Sequence, residues 1–525
     1  MARGVRRAIL IGAGHNGLVC AFALARAGWQ VDVFEARDIP GGACVTEEFH
    51  PGFRNSTAAY TVSLLAPEVI EAMRLRERGL RIVPRPEANF LPTEDGRSLL
   101  AGTRTREEVA RFSAADADIL PGFLDRLARV AAAVGRLART IPPPGLARTA
   151  DVVRGLWQLR RLLLPDPADR ALLVDLLTRS VAAILRAHFA SEPLKAWLAF
   201  DSIVGTWASP EEAGTGLVLL HHAWGEATGM RGRWGHAVGG MGAITQAMAA
   251  ACRDAGVRVH LGCPVARVEV AGGRVRGVTL ADGRAVSAPV VVAGVGPKLL
   301  FGRLMDPRDV PPEVARAMAS FRTGSASLRM NVALSGLPRF TARPEPGPHL
   351  ASGIVLGPSL DWMDRAFHES RLLGWSSAPV VEMLIPSLLD PTLAPPGAHV
   401  ASLFAQHFAP TLPSGVAWDD ARDHAAASVL DVVERFAPGF RKSVLGVQVL
   451  TPADLEARFG LVDGDIFHGR MTLEQSWALR PFQGAAAHRL PVPGLWLCGA
   501  GAHPGGGVSG LPGWNAARAI LRAHR

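Results

Sequence analysis

One stretch constrains the fold more than any other: AILIGAGHNGLVCAFALARAGWQVDVFE, from Ala8 to Glu35. A short apolar run, Ala8 to Ile11, precedes Gly12-x-Gly14-x-x-Gly17, and Leu18, Ala21, Phe22 and Ala25 then recur at helical spacing. Gly28 closes that helix, and Val31 and Val33 alternate into a second strand ending on Glu35. Strand, glycine turn, helix, strand and terminal acid in this register read as a Rossmann-type dinucleotide-binding unit. Its glycines have separate tasks. Gly12 permits the tight turn, Gly14 lets backbone approach a pyrophosphate, and Gly17 lets helix and strand pack closely. Phosphates would rest on the helix N-terminus, which draws Ala13, His15 and Asn16 into the contact set, and Glu35 would accept from a ribose hydroxyl. An acid in that place makes a 2′-phosphorylated nucleotide the poorer choice.

Ala36, Arg37 and the run PGGACV, Pro40 to Val45, come next. The paired glycines Gly41 and Gly42 again suggest backbone brought close to a ligand, with Ala43 beside them. A second glycine-rich segment lies near the other end of the chain: CGAGAHPGGGVSGLPGW, Cys498 to Trp514, has seven glycines in seventeen residues. It begins from the strand-like run Leu495 to Leu497 and leads into a helix expected from about Trp514 to Arg522.

These motifs carry a family resemblance. IGAGHNGL, GGACVTEEFHPGF, GGMGAITQAMA, DIFHGRMTLEQ and CGAGAHPGGGVSG, in that order, resemble the phytoene desaturase-like branch of the FAD-dependent amine oxidase superfamily. Within that branch they look closest to the pyridine nucleotide-disulfide oxidoreductase domain-containing protein 2 group, with the carotenoid ketolases near by. Disulfide reductases offer a competing resemblance, which the cysteines decide. Those enzymes place two thiols five positions apart, whereas here Cys44 is followed by Phe49, so dithiol exchange lacks its second sulfur. A second nucleotide fingerprint is also missing, because Gly294-x-Gly296 has Leu299 where the third glycine would stand. One dinucleotide is therefore expected.

The resemblance implies that this dinucleotide is FAD. It implies that Val265 passes the adenine, although an ordinary core valine explains that residue equally well. It also implies that Gly499, Ala500, Gly501, Pro504, Gly507 and Val508 bring backbone up to the flavin ring and its ribityl chain, with the last helix aiming its positive end at the ring. The reaction would be oxidation or desaturation of a hydrophobic substrate of carotenoid or isoprenoid type, with oxygen or a quinone as acceptor. The alternative is a flavin-binding regulatory or interaction protein with little turnover.

The fold class expected is α/β, or α+β overall. Residues 1–69, 231–300 and 451–525 would form the FAD-binding domain, and 70–230 with 301–450 an interleaved mixed substrate domain. In the middle of the chain a helix-like run, Ile244 to Ala255, leads to VRVHLGCPVARVEV, to Arg274 through Leu280, to the turn Asp282-Gly283 and to APVVVAGVG. That succession reads as a β-meander attached to the parallel sheet.

Catalytic candidates are few. His15 sits in the glycine loop, where it either contacts the cofactor or is only a solvated or capping group, and His503 precedes the glycine run near the expected ring. His221, His222 and His468 read as satisfied core or surface groups, and Lys298 as structural. The five cysteines show no metal-type pairing with histidine, so no metal is expected. The formal charge of +9 invites a nucleic-acid partner, but only three residues of the 56 Lys and Arg are lysine and no block of five like charges occurs. A composition bias explains the charge, and a small hydrophobic substrate without nucleic acid is the expected partner. With the first strand starting by Ala8 and no apolar run of spanning length, a cytoplasmic location is expected. One segment, Val152 to Leu164, sets Trp157, Arg160 and Arg161 among leucines. It could lie on a membrane surface, but packing as a bundle helix is the preferred expectation.

Overall fold

A computed structural model of the chain describes residues 6–324 and 327–525. Strand β1 (Arg7–Ile11), helix α1 (His15–Arg26) and strand β2 (Gln30–Phe34) form the expected N-terminal unit. Far along the chain come α2 (Gly242–Asp254), β3 (Arg258–His260), β4 (Val265–Ala271), β5 (Arg274–Leu280), β6 (Ala285–Ser287) and β7 (Val290–Ala293). The last elements are β8 (Leu495–Leu497) and α3 (Leu511–Ala523). A five-stranded parallel sheet runs in the order β8-β7-β1-β2-β3, and β4, β5 and β6 make a separate antiparallel sheet.

The period of two in these strands explains how the parallel sheet is covered. Ala8, Leu10, Val31, Val33, Val290 and Val292 point into one core cluster shared with α1, α2 and α3. Ile9, Ile11, Phe34, Val291 and Ala293 point the other way, into a second cluster with Val268, Val278 and Leu280 of the meander. Both faces are buried, which is why β1 and β7 read as nearly continuous apolar runs.

A seven-stranded mixed sheet stands apart from this one. Its order is Val444–Leu450, Ser327–Leu334, His399–Gln406, Val381–Leu384, Gly353–Leu356, Asn89–Pro92 and Ser98–Ala101. A helical region from Thr105–Ala110 to Gly216–Ala223 adjoins it, with Ala114–Ala138 its longest member.

Two expectations are corrected. The last helix starts at Leu511, three residues before Trp514, because Pro512 suits a first helical turn and Gly510 takes the left-handed φ of +73° that lets the chain enter it. The segment at Val152 to Leu164 is helical over Thr149–Leu159 with a 3₁₀ turn at Arg160–Leu162, but it is not a packed bundle helix. Only Gly155 and Gln158 of that helix are buried, while Val153, Leu156 and Trp157 are more than half exposed and Leu163 beyond it is 73% exposed. Its apolar stripe faces outward, and Arg160 and Arg161 lie over the Trp157 ring at 4.3 and 5.0 Å. No helix among the described residues is long and apolar enough to cross a membrane.

Candidate functional site

The site begins at the β1–α1 turn. Gly12 has φ +93°, a conformation that side chains resist, and its N–H donates to the Phe34 carbonyl at 2.8 Å, tying the turn to β2. A Cβ on Gly17 would lie 2.3 Å from the Gly12 carbonyl oxygen, so this glycine is demanded by backbone packing. Gly14 differs. It caps α1 without any side-chain hydrogen bond, and a Cβ built there would meet nothing within 4 Å. The first-turn N–H groups of α1 thus open on free space, an arrangement that favours an anion.

The second glycine loop closes on the first backbone to backbone. The Gly41 N–H donates to Ala13 O at 2.9 Å, and a Cβ on Gly42 would lie 3.3 Å from the Gly14 Cα. Glu35 fastens the same corner from below: its carboxylate accepts from the Ala13 N–H at 2.7 Å and from the Arg37 N–H at 3.0 Å. The sequence motif gives Glu35 a ribose to hold. In the fold it also holds the loop. Arg37 in turn pairs with Glu47 at 2.7 Å and lies over the Phe459 ring.

A cavity of about 460 Å³ opens from this corner. Of the residues expected at the cofactor, Gly12, Gly14, His15, Asn16, Gly17, Glu35, Ala36, Arg37, Gly41, Gly42, Ala43, Val265, Ala500, Gly507 and Val508 line it. Ala13 acts from behind through its N–H. Gly499, Gly501 and Pro504 do not line it. A Cβ at Gly499 would lie 2.5 Å from the Gly294 carbonyl and one at Gly501 2.3 Å from Pro297 Cδ, so these two glycines let the C-terminal turn pack against the end of β7. Helix α3 still reaches the corner, because a Cβ at Gly513 would stand 2.0 Å from the Asn16 carbonyl. Helices α1 and α3 therefore meet in close backbone contact at their N-terminal ends.

The histidines sort differently from the sequence expectation. His15 lines the cavity, and its Nε2 is buried without a partner. His468, read from sequence as a bland core or surface group, lines the same cavity with its Nδ1 equally unpartnered. Burial pulls both down to about 4, and the His468 ring adds to the effect on His15, so both stay neutral at ordinary pH. His503 is placed elsewhere. Its Nε2 donates to the Leu137 carbonyl at 3.2 Å, at the end of the Ala114–Ala138 helix, and it does not line the cavity, so it drops out as a candidate acid or base. Lys298 donates to Thr323 Oγ1 at 2.8 Å, outside the cavity.

Sequence reasoning missed Arg480. It is fully buried, and its guanidinium donates to the carbonyls of Phe467 and Ala500 at 2.8 Å and of Gly469 at 3.1 Å. It thereby binds the DIFHGRM segment to the C-terminal glycine turn. An Arg-Pro pair in a loop gives no hint of this, since the bonds join segments about ten and twenty residues away.

The residues present fit a dinucleotide with a flat ring. Unpartnered buried polar atoms on His15, Arg37 and His468, an open cradle at Gly14 and the N-terminal end of α1, which has no side-chain cap, converge on one cavity. The cavity continues past Ile466 and Phe467 to Val204, Trp234 and Phe404, between the parallel sheet and the seven-stranded one. Cys44, at the edge of the corner, is buried with its thiol donating to Met241 O at 3.2 Å, and burial pushes it up to about 12, a protonated packing group without thiolate reactivity.

Comparison with known proteins adds the family. The model for flavin containing amine oxidoreductases matches residues 17–521. The chain is 40% identical to a rat (Rattus norvegicus) pyridine nucleotide-disulfide oxidoreductase domain-containing protein 2, over 98% of this chain and 93% of the relative. A neurosporene-forming phytoene desaturase from Rhodobacter capsulatus is 26% identical over 97% of this chain and 92% of its own length. Among solved structures, an oxidoreductase from Methanosarcina mazei superposes with a TM-score of 0.62 at 16% identity, covering 98% of this chain and 100% of the other, which shows the fold.

Proposed function

Because this chain belongs to the flavin containing amine oxidoreductase family and is an FAD-dependent oxidoreductase, we propose that it oxidises or desaturates a largely apolar organic molecule of isoprenoid or carotenoid type. The observation that carries the reading is the single cavity running from the glycine loops into an apolar interior walled by Val204, Trp234, Phe404, Ile466 and Phe467. One end suits the cofactor and the other a hydrophobic substrate.

In this reading the α1 N-terminus with Gly12, Gly14 and Gly17 holds the pyrophosphate, Glu35 accepts from the ribose beside it, and Val265 flanks the adenine. Gly41, Gly42, Ala500, Gly507 and Val508 admit the remainder of the cofactor. When bound, FAD supplies the hydride or electron chemistry, and the protein supplies orientation and an environment without water. Neutral His15 and His468 offer hydrogen bonds at the cavity wall without adding charge. Oxygen or a quinone would take the electrons, since Gly294-x-Gly296 lacks the third glycine of a second nucleotide fingerprint and a Cβ on Gly294 would lie 2.8 Å from the Ile11 carbonyl.

The reading is tested by the visible spectrum of the purified protein, followed by anaerobic addition of phytoene and related polyenes. Bleaching of the flavin band by one of them supports the substrate class. A flavin that dithionite reduces and no polyene does would turn the reading towards a binding protein, and a colourless protein that does not take up FAD would overturn the assignment.

We also propose a lipid surface as a contact of the Thr149–Leu159 helix. Its exposed Val153, Leu156 and Trp157 are flanked by Arg148, Arg154 and Arg160, the combination that suits an anionic bilayer interface. Flotation with vesicles containing phosphatidylglycerol should recover the parent protein and lose a Leu156→Glu/Trp157→Glu variant; equal recovery of both would dismiss the contact.

A further inference from the structure

Beyond Trp234 the cavity narrows into a recess of about 30 Å³ that shares Tyr60, Thr61, Val204, His222 and Trp234 with it. That volume accepts one small polar group. The recess is chemically unlike the apolar walls before it, because Arg85, Asp201 and Glu382 also line it.

Its hydrogen bonds are unevenly used. Tyr60, the chain's single tyrosine, donates to Glu382 Oε2 at 2.5 Å, Arg85 donates to Glu382 Oε1 at 3.1 Å and to Thr61 Oγ1 at 2.9 Å, the Asn89 amide donates to the Gly353 carbonyl at 3.4 Å, and Trp234 adds an indole N–H. Arg329, stacked 4.5 Å from the Tyr60 ring, donates away from the recess to Ser402 and the Leu403 carbonyl. His222 Nδ1 lies 3.0 Å from the Asp201 carbonyl, so Nδ1 carries the proton and Nε2 is left as an acceptor on a ring that burial holds neutral. The Asp201 carboxyl has no hydrogen-bond partner among the described residues and keeps accessible surface. Burial first and the neighbouring Glu382 second raise it to about 7, with Arg85 opposing. Gly353 is what allows this crowding, since a Cβ there would lie 2.5 Å from Arg85 Nη1 and 2.7 Å from Glu382 Oε1.

The Asp201 carboxyl and His222 Nε2 thus stand as spare acceptors at the inner end of an otherwise apolar cavity. We propose that the recess seats a hydrogen-bond-donating end group, a hydroxyl or an ammonium, of an otherwise apolar substrate, with Asp201 as its principal acceptor. The inference rests on the substrate-cavity reading above and narrows it, since an unfunctionalised hydrocarbon would leave these acceptors buried and unpaired, a cost that polar sites use for discrimination.

The test uses the full-length, FAD-loaded protein titrated with octane, 1-octanol and octylamine, read both by the shift of the flavin band and by calorimetry. At pH 8.5, where Asp201 is ionised, the octanol and octylamine affinities should exceed that of octane by about ten- to a hundredfold, the value of one charge-assisted hydrogen bond. Asp201→Leu should abolish the preference while retaining octane. Asp201→Asn, the conservative variant, should keep octanol through its amide oxygen and lose octylamine. Equal affinity for the three compounds, or a preference that survives Asp201→Leu, would overturn the proposal even with the flavin in place. A protein without flavin defeats the functional reading instead, and calorimetry on the colourless protein still reads the preference separately.

Discussion

Replacing Glu35 with alanine separates two roles that the motif alone merges. The carboxylate accepts from two backbone N–H groups, Ala13 at 2.7 Å and Arg37 at 3.0 Å, and Glu35 is only 6% exposed. Hydrogen bonds to a charged group contribute about 1.5–3 kcal/mol each, so the pair accounts for about 3–6 kcal/mol in the protein without cofactor. For a chain of this length melting as one unit, the unfolding entropy is about 1 kcal/mol per kelvin, which converts the loss into a fall of about 3–6 °C in the thermal midpoint. Calorimetry on the FAD-stripped protein measures it directly. Glu35→Gln keeps one acceptor oxygen and should fall between the parent and the alanine variant. If the carboxylate served only a ribose hydroxyl, the apoprotein would be unaffected, and FAD affinity alone would drop by about ten- to a hundredfold. An unchanged apoprotein midpoint would therefore refute the loop-holding role, whatever happens to FAD.

The other expectations are independent of that one. Gly14→Val should fold like the parent, because nothing lies within 4 Å of its Cβ, yet retain no flavin; full FAD occupancy in that variant would remove the phosphates from this place. Gly17→Ala should instead destabilise the apoprotein by about 1–3 kcal/mol, as its Cβ would press on the Gly12 carbonyl 2.3 Å away, and a stable variant would contradict the packing. His15, His221, His222, His407, His468, His488 and His503 are buried, and burial lowers each to about 3 or 4. The unfolded chain protonates them near 6.5, so the stability they confer is complete above that pH and is lost as pH falls towards 4, at about 1.4 kcal/mol per pH unit for each proton. A denaturation midpoint that stays level from pH 7.5 to 5 would contradict it. Cys44 and Cys252 are pushed up to about 12 by burial, so iodoacetamide at pH 8 should label the folded protein only at the partly exposed Cys263; labelling of Cys44 before unfolding would show a reactive thiol there.

The dinucleotide corner was legible because its demands are local. Gly12, Gly14, Gly17 and Glu35 fall within one strand-turn-helix-strand unit, and each answers to a backbone constraint that spacing alone expresses. The glycines near the C-terminus were legible as close approaches but not as to what approaches. Gly507 reaches the cavity while Gly499 and Gly501 answer to Gly294 and Pro297, and sequence offers no way to tell them apart. His503 and His468 exchanged places for the same reason, since which histidine faces the cavity depends on how the Asp465 to Arg480 segment folds back on the C-terminal turn.

The amphipathic stripe at Val152 to Leu164 makes the point from the other side. Periodicity states that a helix has an apolar face, and only the neighbours decide whether that face is covered; here Val153, Leu156 and Trp157 are left open. The sequence by itself determined the nucleotide-binding βαβ unit, the lack of a dithiol centre and the family. Tertiary structure alone decided the cavity's extent, the role of Arg480 and the polar recess, because Tyr60, Arg85, Asp201 and Glu382 come from four distant segments that meet only when the two sheets and the helices between them are assembled.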